Sequence, residues 1–189
     1  MKEACCPLLL SELDRRLSEG PLVLVIEGGA ASGKTTLAAA IGRHYGATVL
    51  HTDDFFLRPE QRTEARLAEV GGNLDRERFL AEVLTPLARG EEIAYRRYNC
   101  AEGQLLAPTT VRPGRLTVVE GSYAMHEAFG RYFGLAVFLA ITPERQRERI
   151  LARDPDKAER FFSEWIPRER AYHEGMRVKE RCDLVIEVK

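Results

Sequence analysis

The sequence lacks any apolar run long enough to cross a bilayer. Its N-terminal apolar stretch, Pro7-Leu8-Leu9-Leu10, is soon followed by the charged stretch Glu12-Leu13-Asp14-Arg15-Arg16. We therefore expect no signal peptide and no membrane segment, and we expect a cytoplasmic protein that does not bind membranes.

Cysteine is scarce, and its spacing excludes the usual metal and redox motifs. The chain has no Cys-x-x-Cys pair and no histidine at metal-ligand spacing from a cysteine. Free thiols, as found in a reducing compartment, are the expectation. The four cysteines are Cys5, Cys6, Cys100 and Cys182.

An excess of basic charge is also missing. Lys and Arg together number 28 and Asp and Glu 29, which gives a formal net charge of -1. This balance argues against a nucleic-acid partner. The 189 residues contain no internal repeat, and 44% of them are apolar, so we expect a single domain over residues 1–189. The oligomeric state stays open, with a homo-oligomer as one outcome.

Short apolar runs alternate with segments of helical spacing along the chain. The runs, typical of buried strands, cover residues 22–26, 47–50, 116–119, 135–141 and 184–188. The helical segments cover residues 8–18, 34–45, 75–88 and 143–153. This alternation predicts an α/β fold with a five-stranded parallel sheet, in which ligands bind beyond the carboxyl ends of the strands.

The first predicted strand leads into a Gly-x-x-x-x-Gly-Lys-Thr pattern. Its glycines allow successive backbone N–H groups to face phosphate oxygens, Lys34 reaches the outer phosphates, and Thr35 offers a hydroxyl to Mg²⁺. A chance match in this length is expected on the order of 1% of the time, and the strand–loop–helix context makes it rarer. We predict ATP and Mg²⁺ as cofactors, bound by Gly28, Gly29, Ala30, Ala31, Ser32, Gly33, Lys34, Thr35 and Thr36.

Acidic residues follow the second and third predicted strands. Asp53 is placed to orient and deprotonate an acceptor hydroxyl, with Asp54 as its rival for that role. The alternative is that Asp53 only caps a turn. Glu120 is a candidate magnesium ligand together with Thr35 and Asp53, and Gly121 leaves room for close approach.

A basic row follows the fourth predicted strand. Arg145, Arg149 and Arg153 are four residues apart and share one helical face. We predict that Arg149 and Arg153 neutralise charge during phosphoryl transfer, alongside Lys34. The alternative is a solvated helix on which Glu144 and Glu148 pair with the arginines.

Two further segments complete the predicted site. Residues 55–112, inserted between the second and third strands, are expected to shape an acceptor pocket, and residues 154–170 to form a helical lid that excludes water. A surface hairpin with ordinary aromatic stacking is the alternative for the insertion. The predicted acceptor contacts are Phe55, Tyr95, Arg97, Tyr98 and Tyr123.

Together these motifs resemble the uridine kinase–like family of P-loop kinases, in the phosphoribulokinase/uridine kinase superfamily. The similar elements are the phosphate loop, Thr52-Asp53-Asp54-Phe55-Phe56, Val118-Val119-Glu120-Gly121 and the arginines Arg149 and Arg153. The resemblance implies a three-layer P-loop NTPase fold with a helical lid, and phosphoryl transfer from ATP to a hydroxyl of a nucleoside-like acceptor.

The chain departs from the uridine kinase pattern after Tyr98, where Asn99-Cys100-Ala101 replaces a His-x-Arg element. A kinase for another small alcohol, pantothenate-like or a sugar phosphate, is therefore an alternative. A regulatory switch that hydrolyses its nucleotide is a second alternative. Asp53 favours a kinase, because a switch needs a residue that orients water instead.

Overall fold

The protein is described by a computed structural model that covers residues 6–188. A sheet of five parallel strands forms its centre, in the order β2-β5-β1-β6-β7, and a separate antiparallel pair, β3 and β4, lies in the insertion. The strands are β1 Leu22–Gly28, β2 Thr48–His51, β3 Ile93–Asn99, β4 Gln104–Val111, β5 Leu116–Glu120, β6 Leu135–Ile141 and β7 Leu184–Val188.

Helices connect the strands of the main sheet. They are α1 Pro7–Glu19, α2 Lys34–Tyr45, α3 Glu64–Ala68, α4 Arg76–Phe79, α5 Thr85–Ala88, α6 Pro143–Arg153, α7 Ala158–Arg160 and α8 Ile166–Gly175. Two π-helical turns, Leu80–Leu84 and Phe161–Trp165, join α4 to α5 and α7 to α8. None of the helices within residues 6–188 has both the length and the apolar character that a bilayer crossing requires.

The sheet is buried on both faces, which explains why its strands read as continuous apolar runs. Successive residues of β1 enter different cores: Leu24 and Ile26 pack with α1 and α2, whereas Val25 packs on the opposite side. That second core also contains Phe79 of α4 and Tyr172 of α8. The insertion and the C-terminal helix therefore cover the face that α1 and α2 leave free.

The prediction of a five-stranded parallel sheet is confirmed, with element ends that differ by one or two residues. The predicted helix over residues 75–88 instead starts at Arg76, because the Asp75 side chain caps it by accepting a hydrogen bond from the Arg78 N–H. The same helix contains a π turn just before Pro86, which has no N–H to donate to the regular ladder.

The insertion contains the hairpin that the sequence left as an alternative. Strands β3 and β4 pair antiparallel, with Ile93 opposite Val111, and the register shifts between Arg96 and Tyr98. The Tyr95 ring stacks on Phe55 with the ring centroids 5.4 Å apart. The hairpin is thus attached to the main body by an aromatic contact.

Candidate active site

The loop between β1 and α2 has the backbone form of an anion cradle. Gly33 is left-handed at φ 100°, and no side chain among residues 6–188 caps the helix that begins after it. The first N–H groups of α2 therefore have no helical partner and point toward the loop. The Ser32 hydroxyl is buried and lacks a hydrogen-bond partner within the same residues. These groups fit a phosphate, which can accept from all of them.

The Lys34 side chain bends back over this loop. Its Nζ atom donates to the carbonyl oxygens of Gly28 at 2.7 Å and of Gly29 at 3.1 Å. Helix α6 holds the loop from the other side, since Gln146 donates to the Ala30 carbonyl and Arg149 to the Ala31 carbonyl. The positive charges of Lys34 and Arg149 are thereby fixed beside the cradle.

Glu120, the last residue of β5, is the centre of a small polar cluster. Its Oε1 atom accepts from the Thr35 hydroxyl at 3.0 Å and lies 2.6 Å from Nδ1 of His51. The hydrogen bond with Glu120 raises the pKa of His51. The sheet brings His51 to this position, because it pairs in register with Glu120, and the first turn of α2 brings Thr35.

The same cluster offers oxygen atoms of the kind that Mg²⁺ takes as ligands. Residues 6–188 contain no group of three His, Cys, Asp or Glu side chains arranged to hold a metal ion. Mg²⁺ commonly takes only one or two protein oxygens and completes its shell with water and phosphate oxygens. The Thr35 hydroxyl and the Glu120 carboxylate are oxygens of that kind, beside the phosphate cradle.

Asp53 and Asp54 lie in different environments. Asp53 is exposed and lines a cavity over the phosphate loop, which is described below. Asp54 is buried outside that cavity and accepts from Nε of Arg97 at 2.8 Å. Surrounding protein that limits hydration raises the pKa of Asp53 to about 6; Lys34 opposes this rise, and Glu120 and Glu169 add to it. Of the two rivals, Asp53 is therefore the one that can meet a bound molecule.

Strand-end geometry brings Asp53 and Glu120 together. A Cβ atom at Gly121 would lie 2.1 Å from Oγ1 of Thr52, so only glycine lets these two chain segments approach. The Thr52 hydroxyl donates to the Ser122 carbonyl across the gap at 2.9 Å. The expected close approach at Gly121 is present.

A cavity of about 920 Å³ lies over the phosphate loop and the strand ends. Most of the predicted site residues line it: Ala30, Ala31, Gly33, Lys34, Thr35, Thr36, Asp53, Glu120, Tyr123, Arg149 and Arg153. The lid segment closes one side of it through Phe161, Glu164 and Trp165. Trp165 both packs against Phe161 and faces the cavity.

Four of the five predicted acceptor contacts lie outside the lining of this cavity. Phe55 and Tyr95 are buried against each other in the core. Arg97 pairs with Asp54, and Tyr98 is buried, with its hydroxyl 3.5 Å from Nη2 of Arg62. The aromatic and basic pattern of β3 therefore reflects the attachment of the hairpin, as in the alternative interpretation.

The arginines of α6 do not all lie in the same environment, and each of the two interpretations made from the sequence describes some of them. Arg145 pairs with Glu148 at 2.5 Å, which is the solvated pairing proposed as the alternative. Arg149 and Arg153 line the cavity, although Arg153 also pairs with Asp154.

Glu169 on α8 is a site residue that the sequence pattern did not identify. Its Oε2 atom accepts from the Ala30 N–H of the phosphate loop at 2.7 Å, and its Oε1 atom accepts from the Ser122 hydroxyl. Its place at the end of the predicted lid is a sequence signal, but that signal does not specify this contact. The loop–lid contact depends on tertiary packing, because Ala30 and Glu169 are far apart along the chain.

No family model matches the chain, and no curated protein has a matching sequence. Solved structures do match its fold. A protein from Bacillus stearothermophilus described as a "possible uridine kinase" is 22% identical over 93% of this chain and 99% of its own, with a TM-score of 0.62.

Two further structures have the same fold. A protein from Silicibacter sp. TM1040, described as a candidate fructose transport system kinase, is 21% identical over 88% of this chain and 90% of its own, with a TM-score of 0.69. D-glycerate 3-kinase from Cryptococcus neoformans is 16% identical over 95% of this chain and 92% of its own, with a TM-score of 0.62.

The sheet order, the loop after β1 and these likenesses define the class: the protein has the three-layer α/β fold of P-loop nucleotide-binding proteins. More particularly, it shares the variant of that fold seen in the three structures above, as the sequence resemblance implied at the level of fold.

Proposed function

We propose that this chain is an ATP-dependent kinase that phosphorylates a hydroxyl group of a small molecule. The observation that carries the proposal is the placement of Asp53, a carboxylate with a raised pKa, in one cavity with the phosphate loop and Lys34. A second cavity wall formed by the insertion leaves space for an acceptor beside the nucleotide. The kinase descriptions of the three similar structures support the same conclusion.

The residues divide the work in the manner of phosphoryl transfer by positioning and electrostatics. The loop amides and Lys34 would hold the phosphates of ATP, and Thr35 and Glu120 would hold Mg²⁺. Bound in this way, ATP would supply the phosphoryl group, and Mg²⁺ would neutralise part of its charge. Asp53 accepts the proton of the acceptor hydroxyl, which makes its oxygen a better nucleophile.

Helix α6 contributes charge, and the lid excludes water. Arg149 and Arg153 stabilise the negative charge that is redistributed as the phosphoryl group moves. Phe161 and Trp165 cover the cavity with apolar surface, which limits hydrolysis in place of transfer.

The structure gives less support to a nucleoside acceptor than the sequence resemblance did. Two aromatic side chains predicted as acceptor contacts, Tyr95 and Tyr98, lie outside the cavity. We therefore keep the proposal at a small hydroxyl compound and treat uridine and cytidine as acceptors to be tested. A nucleotide-hydrolysing switch is the competing function, and it makes no use of the carboxylate of Asp53.

The test is acceptor-dependent ADP release by the purified protein, measured with wild type, Lys34→Ala and Asp53→Asn. We expect Asp53→Asn to lower kcat roughly 10²- to 10⁴-fold because the proton acceptor is lost. Asp54→Asn is the matched control, since its carboxylate lies outside the cavity, and it should keep near wild-type turnover. ADP release that needs no acceptor and is unchanged in Asp53→Asn would contradict the kinase and favour the switch.

A further inference from the structure

Arg62, in the insertion between β2 and β3, presents an uncompensated positive charge to the cavity. Its Nε atom donates to the Leu57 carbonyl at 2.9 Å, and its Nη2 atom lies 3.5 Å from the Tyr98 hydroxyl. Both partners are neutral, and no carboxylate within residues 6–188 lies within 4.0 Å of the guanidinium in an ion pair. The side chain is exposed, and what it faces is the cavity.

The lid adds a second group of positive charge opposite Arg62. Arg160, Glu164 and Arg168 are four residues apart on one helical face, and all three line the cavity. Glu164 accepts from Nε of Arg160 at 2.9 Å and lies 3.3 Å from Nη1 of Arg168. One carboxylate thus lies between two guanidiniums, while the next acidic residue of the lid, Glu169, is hydrogen-bonded to Ala30 and Ser122.

Arg62 and the lid arginines all influence the pKa of the same carboxylate, that of Glu164. The hydrogen bond from Arg160 lowers the pKa of Glu164, and the charges of Arg168 and Arg62 lower it further. Arg62 therefore lies within electrostatic range of the lid face. Glu164 forms ion pairs with Arg160 and Arg168, so the guanidinium of Arg62 remains without an ion pair of its own in the described part of the chain.

Arg62, Arg160 and Arg168 line the same cavity as Asp53. Burial raises the pKa of the Cys100 thiol, which also senses both Arg62 and Asp53. On the other side, burial and Glu169 raise the pKa of Tyr123, while its hydrogen bond with Asn73 and the charge of Arg168 lower it. Cys100 also lines this cavity, so Arg62 and Asp53 act on the same part of its wall.

The phosphate loop has cations of its own, so the additional arginines provide information about the acceptor. Lys34 and Arg149 are bound to carbonyl oxygens of the loop itself. A neutral acceptor would gain little from three further guanidiniums, whereas an oxyanion would bind two of them through charge-assisted hydrogen bonds.

We propose that the acceptor is an anion, either a hydroxy acid or a phosphorylated alcohol, whose carboxylate or phosphate is bound by Arg62 and Arg168 while its hydroxyl lies at Asp53. This inference rests on the proposed kinase function and names its substrate class. Carboxylate and phosphate share the oxyanion chemistry that the guanidiniums recognise, so the experiment must distinguish them.

The experiment uses pairs of compounds that differ mainly in the anionic group: glycerate and glycerol, pantothenate and pantothenyl alcohol, fructose 6-phosphate and fructose, uridine monophosphate and uridine. Binding is followed by the fluorescence of Trp165, which is the only tryptophan of the chain and lies in the cavity wall. Turnover is followed by ADP release in parallel. We expect the anionic member of at least one pair to bind and react, and its neutral partner to do neither.

Variants test whether Arg62 is responsible. Arg62→Gln should raise the KM for the anionic acceptor roughly 10- to 100-fold and leave the KM for ATP unchanged, because a charge-assisted hydrogen bond is lost on the acceptor side only. Arg62→Lys, which keeps the charge, should recover part of the loss. Arg112→Gln is the matched control, since this arginine pairs with Glu92 on the hairpin and does not line the cavity.

The outcomes separate this inference from the function on which it rests. Equal or better use of the neutral members, with dependence on Asp53 retained, would overturn the anionic acceptor and leave the kinase standing. Anion binding that depends on Arg62 without any acceptor-dependent ADP release would support the anion site and overturn the kinase. Anion binding no tighter than that of the neutral members would overturn the inference whatever the turnover.

Discussion

At the scale of single residues, the environment of Asp53 has a direct consequence for pH dependence. A carboxylate acts as a proton acceptor only when it is ionised, and limited hydration raises the pKa of Asp53 to about 6. We therefore predict that log kcat/KM falls as the pH decreases through about 6, since the protonated form accumulates below that value. A pH–rate profile under first-order conditions measures it, and an acid limb near pH 4 would contradict it.

A substitution at Glu169 provides a second test of the raised pKa of Asp53. Its negative charge contributes to the raised pKa of Asp53, so Glu169→Gln should move the acid limb toward lower pH. Glu144→Gln on the exposed side of α6 is the control and should leave the limb in place. A limb that stays put or moves upward in Glu169→Gln would show that this charge does not act on the group that titrates.

Glu27 is a fully buried carboxylate with a structural partner on α8. The Tyr172 hydroxyl donates to its Oε1 atom at 2.7 Å, and the Met125 N–H donates to the same atom at 3.0 Å. We predict that Tyr172→Phe lowers the free energy of unfolding by about 1–3 kcal/mol, because a buried acceptor loses a donor. Urea denaturation measures this change.

Tyr45→Phe is the control for the Tyr172 substitution. The Tyr45 hydroxyl donates to Asp14 at 2.8 Å on the exposed surface, so its loss should cost little. Equal effects of the two substitutions would mean that the buried contact with Glu27 contributes no more than a surface hydrogen bond.

At the scale of elements, the ends of β2 and β5 must approach closely to hold the site. Gly121 has φ 129°, and a side chain there would collide with Thr52. We predict that Gly121→Ala lowers stability by at least about 1–3 kcal/mol, the range for an overpacked site, and also lowers kcat by separating Asp53 from Glu120. Chemical denaturation and the ADP-release assay on the folded fraction measure the two effects.

Gly114→Ala provides the comparison. Its Cβ atom would meet its nearest neighbour, the Leu116 carbonyl, at 3.4 Å, which is ordinary contact, and the position needs no left-handed backbone. A Gly121→Ala protein as stable and active as Gly114→Ala would show that the strand ends tolerate separation.

The elements of the main sheet could be predicted because their signals are local. Buried strands such as Val118–Val119 stand out as apolar runs, and Gly33 and Thr142 mark the starts of helices α2 and α6. The hairpin and the π turns were harder to predict from the sequence. The hairpin depends on contact between β3 and a partner, and the π turns depend on how Pro86 and Pro167 are accommodated in longer helices.

At the scale of the whole molecule, the cavity joins the phosphate loop, two strand ends, the insertion and the lid. The sheet topology made Asp53 and Glu120 predictable, because carboxyl ends of parallel strands share one edge. Arg62 and Arg168 could not be predicted in the same way. They lie far apart in sequence, and only the packing of the lid over the insertion brings them to one space.

The central claim is that Asp53 promotes transfer of a phosphoryl group from ATP to a hydroxyl. The most direct measurement is mass-spectrometric detection of the phosphorylated acceptor, with product counted against ADP for wild type, Asp53→Asn and Asp54→Asn. The account predicts one phosphorylated product for each ADP in wild type and Asp54→Asn, and a severe loss of both in folded Asp53→Asn. Product formation by Asp53→Asn at the wild-type rate, or ADP without phosphorylated product in wild type, would contradict it.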